Sequence, residues 1–197
     1  MNLLAIDTST DICCVSLYKS NKKVITRNEK VVSSHTNLLA TFVDDMIKSS
    51  NFLIQDLDHV ILSIGPGSYS GLRASSSFAK GLAYAINKNI ITVNTIDALN
   101  FSINDNGEYY IALYSHRDYV FYQKFYNGKS IGNQYCDKIS NLDKNKFYGY
   151  GLENFIDINS SEVKPSSLNL IKYIIKNKEL IVNSNIAEIT PIYLMKK

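Results

Sequence analysis

The 197-residue sequence predicts an α/β protein in which mixed sheets are covered by helices. Three observations predict it. The first hundred residues read βββαβαβα. The hydrophobic period changes from two to 3.6 residues after the third strand. The second half then opens with three more strands, as the first half does.

Each element follows from its residues. Leu3 to Asp7 is an apolar run ending on an acid and reads as a buried strand; Thr8-Ser9-Thr10-Asp11 is a turn, and Ile12 to Lys19 a second strand. Ser20-Asn21-Lys22 turns again, and Lys23 to Val32 forms a third strand. Ser33 or Ser34 then caps a helix carrying Leu38, Leu39, Phe42, Val43, Met46 and Ile47 at i, i+3, i+4 spacing. His59 to Ile64 is a β-branched strand. Gly65-Pro66-Gly67-Ser68-Tyr69-Ser70-Gly71 is a loop, and Leu72 to Ile86 a second helix. Asn89 to Asn94 is a strand, and Thr95 starts a short helix. In the second half, Tyr109–Tyr114, Tyr119–Tyr126 and Lys129–Cys136 are strands with turns at His116-Arg117-Asp118 and Asn127-Gly128. A helix spans Ser166 to Asn177 and a last strand lies near Ile192 to Leu194. The polar stretch Ile103 to Gly107 divides a first lobe, 1–104, from a shorter second lobe, 105–197.

Composition narrows the class. Apolar residues make up 45% and charged residues 20%, too apolar for a disordered chain. The net charge of +3 excludes a protein that coats nucleic acid by charge alone. Of 21 basic residues only Arg27, Arg73 and Arg117 are arginines, and the lysines fall in short groups that read as solvated faces. Cys13 and Cys14 are strand neighbours facing opposite ways, and no CxxC pair occurs, so neither a disulfide nor a zinc site is expected. The N-terminus lacks the basic start of a signal peptide, and no apolar run approaches the roughly 20 residues of a membrane span. A cytoplasmic protein without membrane contact is expected.

Two segments have the composition of a phosphate site. The glycine loop follows a strand and opens a helix, where amides and the dipole favour an anion. Yet GxxxxGK[ST] fails because Leu72-Arg73 follows Gly71, GxGxxG fails at Ser70, and GxSxG fails at Tyr69. Asp7-Thr8-Ser9-Thr10 places an acid and hydroxyls at the tip of the first strand, where a metal-bound phosphate could sit. On spacing alone both read better as tight structural turns. His35 has no second histidine three or four residues away, so it reads as a cap or interface residue rather than a metal ligand. The second helix is unusual for its small residues and for having only Arg73 and Lys80 as charges, so it is covered either by its own fold or by a partner.

Ala5-Ile6-Asp7-Thr8-Ser9-Thr10, His35 with Leu38-Leu39, Gly65-Pro66-Gly67-Ser68-Tyr69-Ser70-Gly71-Leu72-Arg73, Ala79-Lys80-Gly81-Leu82-Ala83 and Pro191-Ile192-Tyr193-Leu194 together resemble the TsaB (YeaZ) family of bacterial tRNA threonylcarbamoyladenosine biosynthesis proteins. The glycine segment, similar to the family's GPGSFTGLR signature, is its most specific piece. The resemblance implies a two-lobed actin/Hsp70-like ATPase fold with ribonuclease-H-like lobes. It implies a non-catalytic scaffold that pairs with the sister protein TsaD, which transfers threonylcarbamoyl to adenosine beside the anticodon. The ATPase TsaE joins the assembly, TsaC makes the threonylcarbamoyl-adenylate, and tRNA is met only through the complex. ATP would enter mainly through TsaD and TsaE. This chain would hold neither metal nor cofactor of its own, with Asp7, Thr8, Ser9 and Thr10 the weak nucleotide candidates.

Departures from catalytic relatives, from the DxGT turn of related ATPases and from the family's own second-lobe pattern agree with that implication. Thr95 and Leu99 occupy the two histidine positions of an NHxxxH-type metal segment. Ser9 replaces the glycine of a DxGT turn, Ser115-His116-Arg117 replaces Asp-Ala-Arg, and Gly149-Tyr150-Gly151 replaces a Gly-Asp-Gly-like stretch. Partner contact is expected through the helices 34–50 and 72–87. His35, Leu38, Leu39, Phe42, Val43 and Met46 represent the first; Leu72, Arg73, Phe78, Ala79 and Leu82 represent the second. A homodimer is expected when the sister is absent. The rival readings are an Asp7-dependent phosphotransferase or ATPase and a peptidase; no nucleophile–base spacing supports the latter.

Overall fold

A computed structural model describes residues 1–21, 23–31, 35–143, 146–153, 155, 158–181 and 185–194, and only the backbone of His35. The first half forms β1 (Leu3–Asp7), β2 (Ile12–Tyr18), β3 (Val24–Lys30), α1 (His35–Ser49), β4 (His59–Ser63), α2 (Tyr69–Ala85), β5 (Asn89–Val93) and α3 (Thr95–Asn100). The second forms β6 (Glu108–His116), β7 (Tyr119–Tyr126), β8 (Lys129–Lys138), β9 (Lys146–Tyr150), β10 (Asn159–Glu162) and α4 (Ser167–Lys176). The helix cap expected at Ser33 or Ser34 and the side chain of His35 lie outside the described residues.

The first sheet has the order β3-β2-β1-β4-β5 and the second β10-β9-β6-β7-β8. Read from the other edge, the second is the first with the same topology. In each, two antiparallel hairpins are followed by two strands parallel to the first. The two-lobed α/β expectation therefore holds. The lobes differ in their crossovers. α1 and α2 connect β3 to β4 and β4 to β5, whereas the described residues of the matching crossovers in the second lobe contain no α-helix.

Burial explains the pattern. β1 is buried along its whole length because helices cover both faces. On one face Leu4 and Ile6 meet Leu39, Val43 and Met46 of α1 and Ala79 and Ala83 of α2. On the other, Leu3 and Ala5 meet Leu170, Ile171 and Ile174 of α4. The helix that ends the second lobe's strand order thus covers the first sheet, with Ser16 Oγ 2.7 Å from Ser167 Oγ and Cys14 Sγ bonded to the Pro165 carbonyl. α3 places Ile96 and Leu99 in the second lobe's core beside Tyr109 and Phe125.

Two expectations need correction, and two strands were not anticipated. α2 begins at Tyr69, so Tyr69-Ser70-Gly71 is its first turn and not a loop; Ser68 caps it by accepting from Gly71 N. Tyr148–Gly151 belongs to a strand up to Tyr150, and β10 was not anticipated, because its four residues are exposed and polar. Ile192–Leu194 is not a strand; one bond, Ile192 N to the Ile64 carbonyl at 2.7 Å, ties it down.

Gly71 packs so closely that a Cβ there would overlap the Thr8 carbonyl oxygen, whereas a Cβ on Gly81 would meet nothing within 4 Å. Gly71→Ala should destabilise by about 1–3 kcal/mol. Gly81→Ala, at an open mid-helix position, should stabilise by about 0.5–1 kcal/mol. Urea denaturation of the two variants checks the contrast; equal effects would contradict the packing.

Candidate functional site

The two phosphate-site candidates lie against each other. β1 ends at Asp7, and the chain turns through Thr8 and Ser9 under the N-terminus of α2. Ser68 N donates to the Ser9 carbonyl at 2.7 Å, and Thr8 Oγ1 donates to the Gly71 carbonyl at 2.7 Å. Gly67 and Gly71 permit this approach, since a Cβ on either would overlap the turn's carbonyl oxygens. The Asp7 carboxyl, the Thr8 hydroxyl and the amides of Ser9, Ser68 and Gly71 are therefore engaged with protein, while the buried Ser9 hydroxyl has no partner among the described residues. Asp7 Oδ1 accepts from Ser9 N at 2.9 Å inside the turn. Asp7 is 2% exposed, and burial pushes its carboxyl above the usual range against the opposing bonds from Ser9 and Ser63. Of the four turn candidates, Ser9 and Thr10 line a cleft, while Asp7 and Thr8 are sealed beneath it.

That cleft, about 580 Å³, lies between the β1–β2 turn, the α2 N-terminus and the ends of β6 and β9. The first lobe lends Asp11, Lys30 and Tyr69; the second lends Tyr114, His116, Phe121, Tyr150 and Glu153. Lys30 Nζ stands 3.0 Å from Asp11 Oδ2. The Tyr150 hydroxyl is pushed up by burial and then by Asp11 across the lobes. At the rim, Arg73 Nη1 donates to Tyr69 OH at 2.9 Å with its guanidinium 5.4 Å from that ring, and Tyr193 packs on it at 5.1 Å. Elsewhere a paired-amide bond joins the lobes: Asn94 Nδ2 donates to Gln134 Oε1, and Gln134 Nε2 to Asn94 Oδ1, each at 3.0 Å. Asn94 is also the cap of α3.

Sequence reasoning missed Asp11, Lys30, Tyr114, Phe121 and Glu153. One signal was available. Equal strands about the 20–22 turn set Ile12 opposite Lys30, which brings Lys30 beside Asp11. The aromatic walls come from long-range packing and leave no local pattern.

The arrangement holds few groups for chemistry. Thr95 Oγ1 lies 2.8 Å from Ser63 Oγ, and Leu99 is buried beside Tyr109, so the two positions expected to have lost histidine serve the core. Among the described residues no three His, Cys, Asp or Glu side chains group as metal ligands. Ser115 Oγ is 3.0 Å from His116 Nδ1, but they are sequence neighbours at an exposed position and the ring stacks on Tyr119 at 5.0 Å. No described carboxylate orients that imidazole, as a nucleophile–base pair requires.

The expected partner residues divide in two. Leu39, Phe42, Val43, Met46, Leu72 and Ala79 are buried in the chain's own core, which leaves them no surface for another protein. Leu38, Phe78 and Leu82 are half-buried, and Arg73 is exposed. The outward face of α2 instead carries Ser70, Ser77, Gly81, Ala85 and Tyr84, the last 82% exposed; α1 beside it exposes Ala40, Thr41 and Asp44.

Comparison with known proteins follows this geometry. Residues 22–145 match the family model for TsaD, tRNA N6-adenosine threonylcarbamoyltransferase. The chain is 23% identical to the tRNA threonylcarbamoyladenosine biosynthesis protein TsaB of Buchnera aphidicola, over 93% of this chain and 95% of that protein. It is 32% identical to TsaB of Haemophilus influenzae over 100 residues, where the match spans 50% of this chain and less than half, 42%, of the relative. The crystal structure of YeaZ from Pseudomonas aeruginosa superposes with a TM-score of 0.80 at 18% identity, covering 98% of this chain and 99% of that one, so the fold is the same. With its family match over more than half the chain, this chain belongs to the tRNA N6-adenosine threonylcarbamoyltransferase (TsaD) family.

Proposed function

We propose that this chain acts in tRNA threonylcarbamoyladenosine synthesis as a non-catalytic subunit that pairs with and activates a TsaD-like sister chain. The observation that carries the reading is the closure of the β1–β2 turn on the glycine loop. In that closure the Asp7 carboxyl, the Thr8 hydroxyl and the Ser68 amide are bound within the protein. Its relatives are named for biosynthesis of the modified nucleoside, and its family model for the transferase. A TsaE-like ATPase joins the assembly, tRNA is met through the complex, and two copies of this chain associate when the sister is absent.

The outward face of α1 and α2 is the surface we assign to the sister chain. Ser70, Ser77 and Gly81 let a helix approach closely, and Tyr84 supplies an exposed anchor. The half-buried Leu38, Phe78 and Leu82 lie at the margin of that face.

Three outcomes are expected. The purified chain alone should transfer no threonylcarbamoyl to tRNA and should bind ATP weakly or not at all. Tight magnesium-dependent binding lost in Asp7→Ala would favour the phosphotransferase reading instead. Ser77→Arg or Gly81→Arg should leave the fold intact by circular dichroism and weaken co-purification with the TsaD-like chain by about 2 kcal/mol, roughly thirtyfold; unchanged binding by both would move the interface elsewhere.

The third concerns Asp7. Its folded-state pKa is raised, so the folded chain keeps a proton that the unfolded chain releases near about pH 3.9. The resulting stability is complete below that pH and is lost as pH rises toward the folded-state value. Asp7→Asn keeps an acceptor for Ser9 N and should melt higher than the parent at pH 7, the gap closing toward pH 4. A melting difference independent of pH would contradict it.

A further inference from the structure

A second cavity, of about 400 Å³, lies outside the cleft between α3, the β7–β8 turn and the C-terminal end of α4. Asp97 and Phe101 come from the first of these, Lys129 from the second, and Tyr173 and Lys176 from the third. Phe101 and Tyr173 meet edge to face, with centroids 5.7 Å apart, and form an apolar wall.

The charges around this space, a half-buried carboxyl and two exposed ammoniums, form no ion pair with one another among the described residues. Asp97 is half-buried, and its carboxyl makes no ion pair among the described residues; burial alone pushes its pKa up. Lys129 and Lys176 make no ion pair there either, and the Lys176 ammonium rests 5.4 Å from the Phe101 ring. One carboxylate and two ammoniums thus border a single cavity without meeting. A simple cation entering it would face the two lysines, and a simple anion would face Asp97. A molecule with opposite charges a few bonds apart satisfies both, and removing such charges from water is favourable only when each finds a partner.

We propose that this cavity binds a small zwitterion, a free α-amino acid. Its ammonium pairs with Asp97, its carboxylate with Lys129 and Lys176, and its side chain rests on Phe101 and Tyr173. The cavity volume is ample for a molecule of that size. The proposal is independent of the subunit role above.

Isothermal titration calorimetry of the full chain with each proteinogenic amino acid in turn tests it. At least one should bind saturably. Its amide, which lacks the carboxylate, and its N-acetyl form, which lacks the ammonium, should each bind about tenfold or more weaker. Asp97→Asn and Lys176→Met should weaken binding to a similar degree. Lys172→Met, an exposed α4 position outside the cavity, should not. If either cavity variant fails to fold by circular dichroism, the two derivatives decide the matter on the unaltered protein. No saturable binding at concentrations on the order of 10 mM, binding of the amide or N-acetyl form as tight as the parent, or binding unmoved by both variants would overturn the proposal.

Discussion

The fit of α2 onto the β1–β2 turn organises much of the first lobe. The loop before α2 and its first turn meet the β1–β2 turn with no side chain at two positions, Gly67 and Gly71, and through those gaps the turn's carbonyls approach the backbone. Ser68 contributes three times: its amide donates to Ser9, its hydroxyl caps the helix, and its carbonyl accepts from Leu72 N. The consequence extends outward. With its start fixed, α2 presents Ala79 and Ala83 to the sheet and turns Ser70, Ser77 and Gly81 away from it. The same fit closes Asp7 into the interior, where a carboxyl is costly unless protonated or bonded. A glycine motif with the composition of an anion cradle therefore serves here as a joint.

The lobes are held to one another by several kinds of interaction. The amide pair Asn94–Gln134 is extended by Gln134 Nε2 donating to Gln123 Oε1 at 3.1 Å, and Asn94 at the same time caps α3. α4 adds a hydrophobic seam and the Ser16–Ser167 hydroxyl contact. The lobes differ in how their cores are filled. The first uses aliphatic side chains under α1 and α2. The second relies on rings, with Tyr110 stacked on Phe147 at 5.2 Å and Tyr109 on Phe125 at 5.6 Å. Large rings fill a sheet face where the described residues of the crossovers hold no α-helix, each burying a large apolar area for few ordered torsions.

Much of this architecture was legible in the sequence because it is written in local periodicity. β1 to β5, α1 and the topology of the first lobe follow from alternation, turns and the 3.6 period. Where the signal was absent, the reading failed. Asn159–Glu162 has no apolar residue, yet it pairs with β9 through backbone bonds alone. Tyr69-Ser70-Gly71 reads as loop because a glycine stands where the helix starts, and only its neighbour Thr8 shows why it is there. The apolar stripe on α1 was visible, but periodicity says that a face is apolar and not what covers it; Leu39, Val43 and Met46 are covered by the chain itself. The cleft was half legible: Ser9 and Thr10 lay in a flagged turn, while Tyr114, Phe121 and Glu153 arrive there only through the pairing of distant strands.

The crossing of α4 sets an order on biosynthesis. The chain leaves the ribosome from its N-terminus, so β1 to β5 are complete long before Leu170, Ile171 and Ile174 emerge. Throughout that interval Leu3, Ala5, Ile61 and Ile91 form an apolar face with no cover from α4. Such a face on a growing chain attracts chaperones and other nascent chains. A ribosome that stalls before α4 emerges therefore leaves behind a sticky half-protein, and the arrival of α4 is the step that closes it.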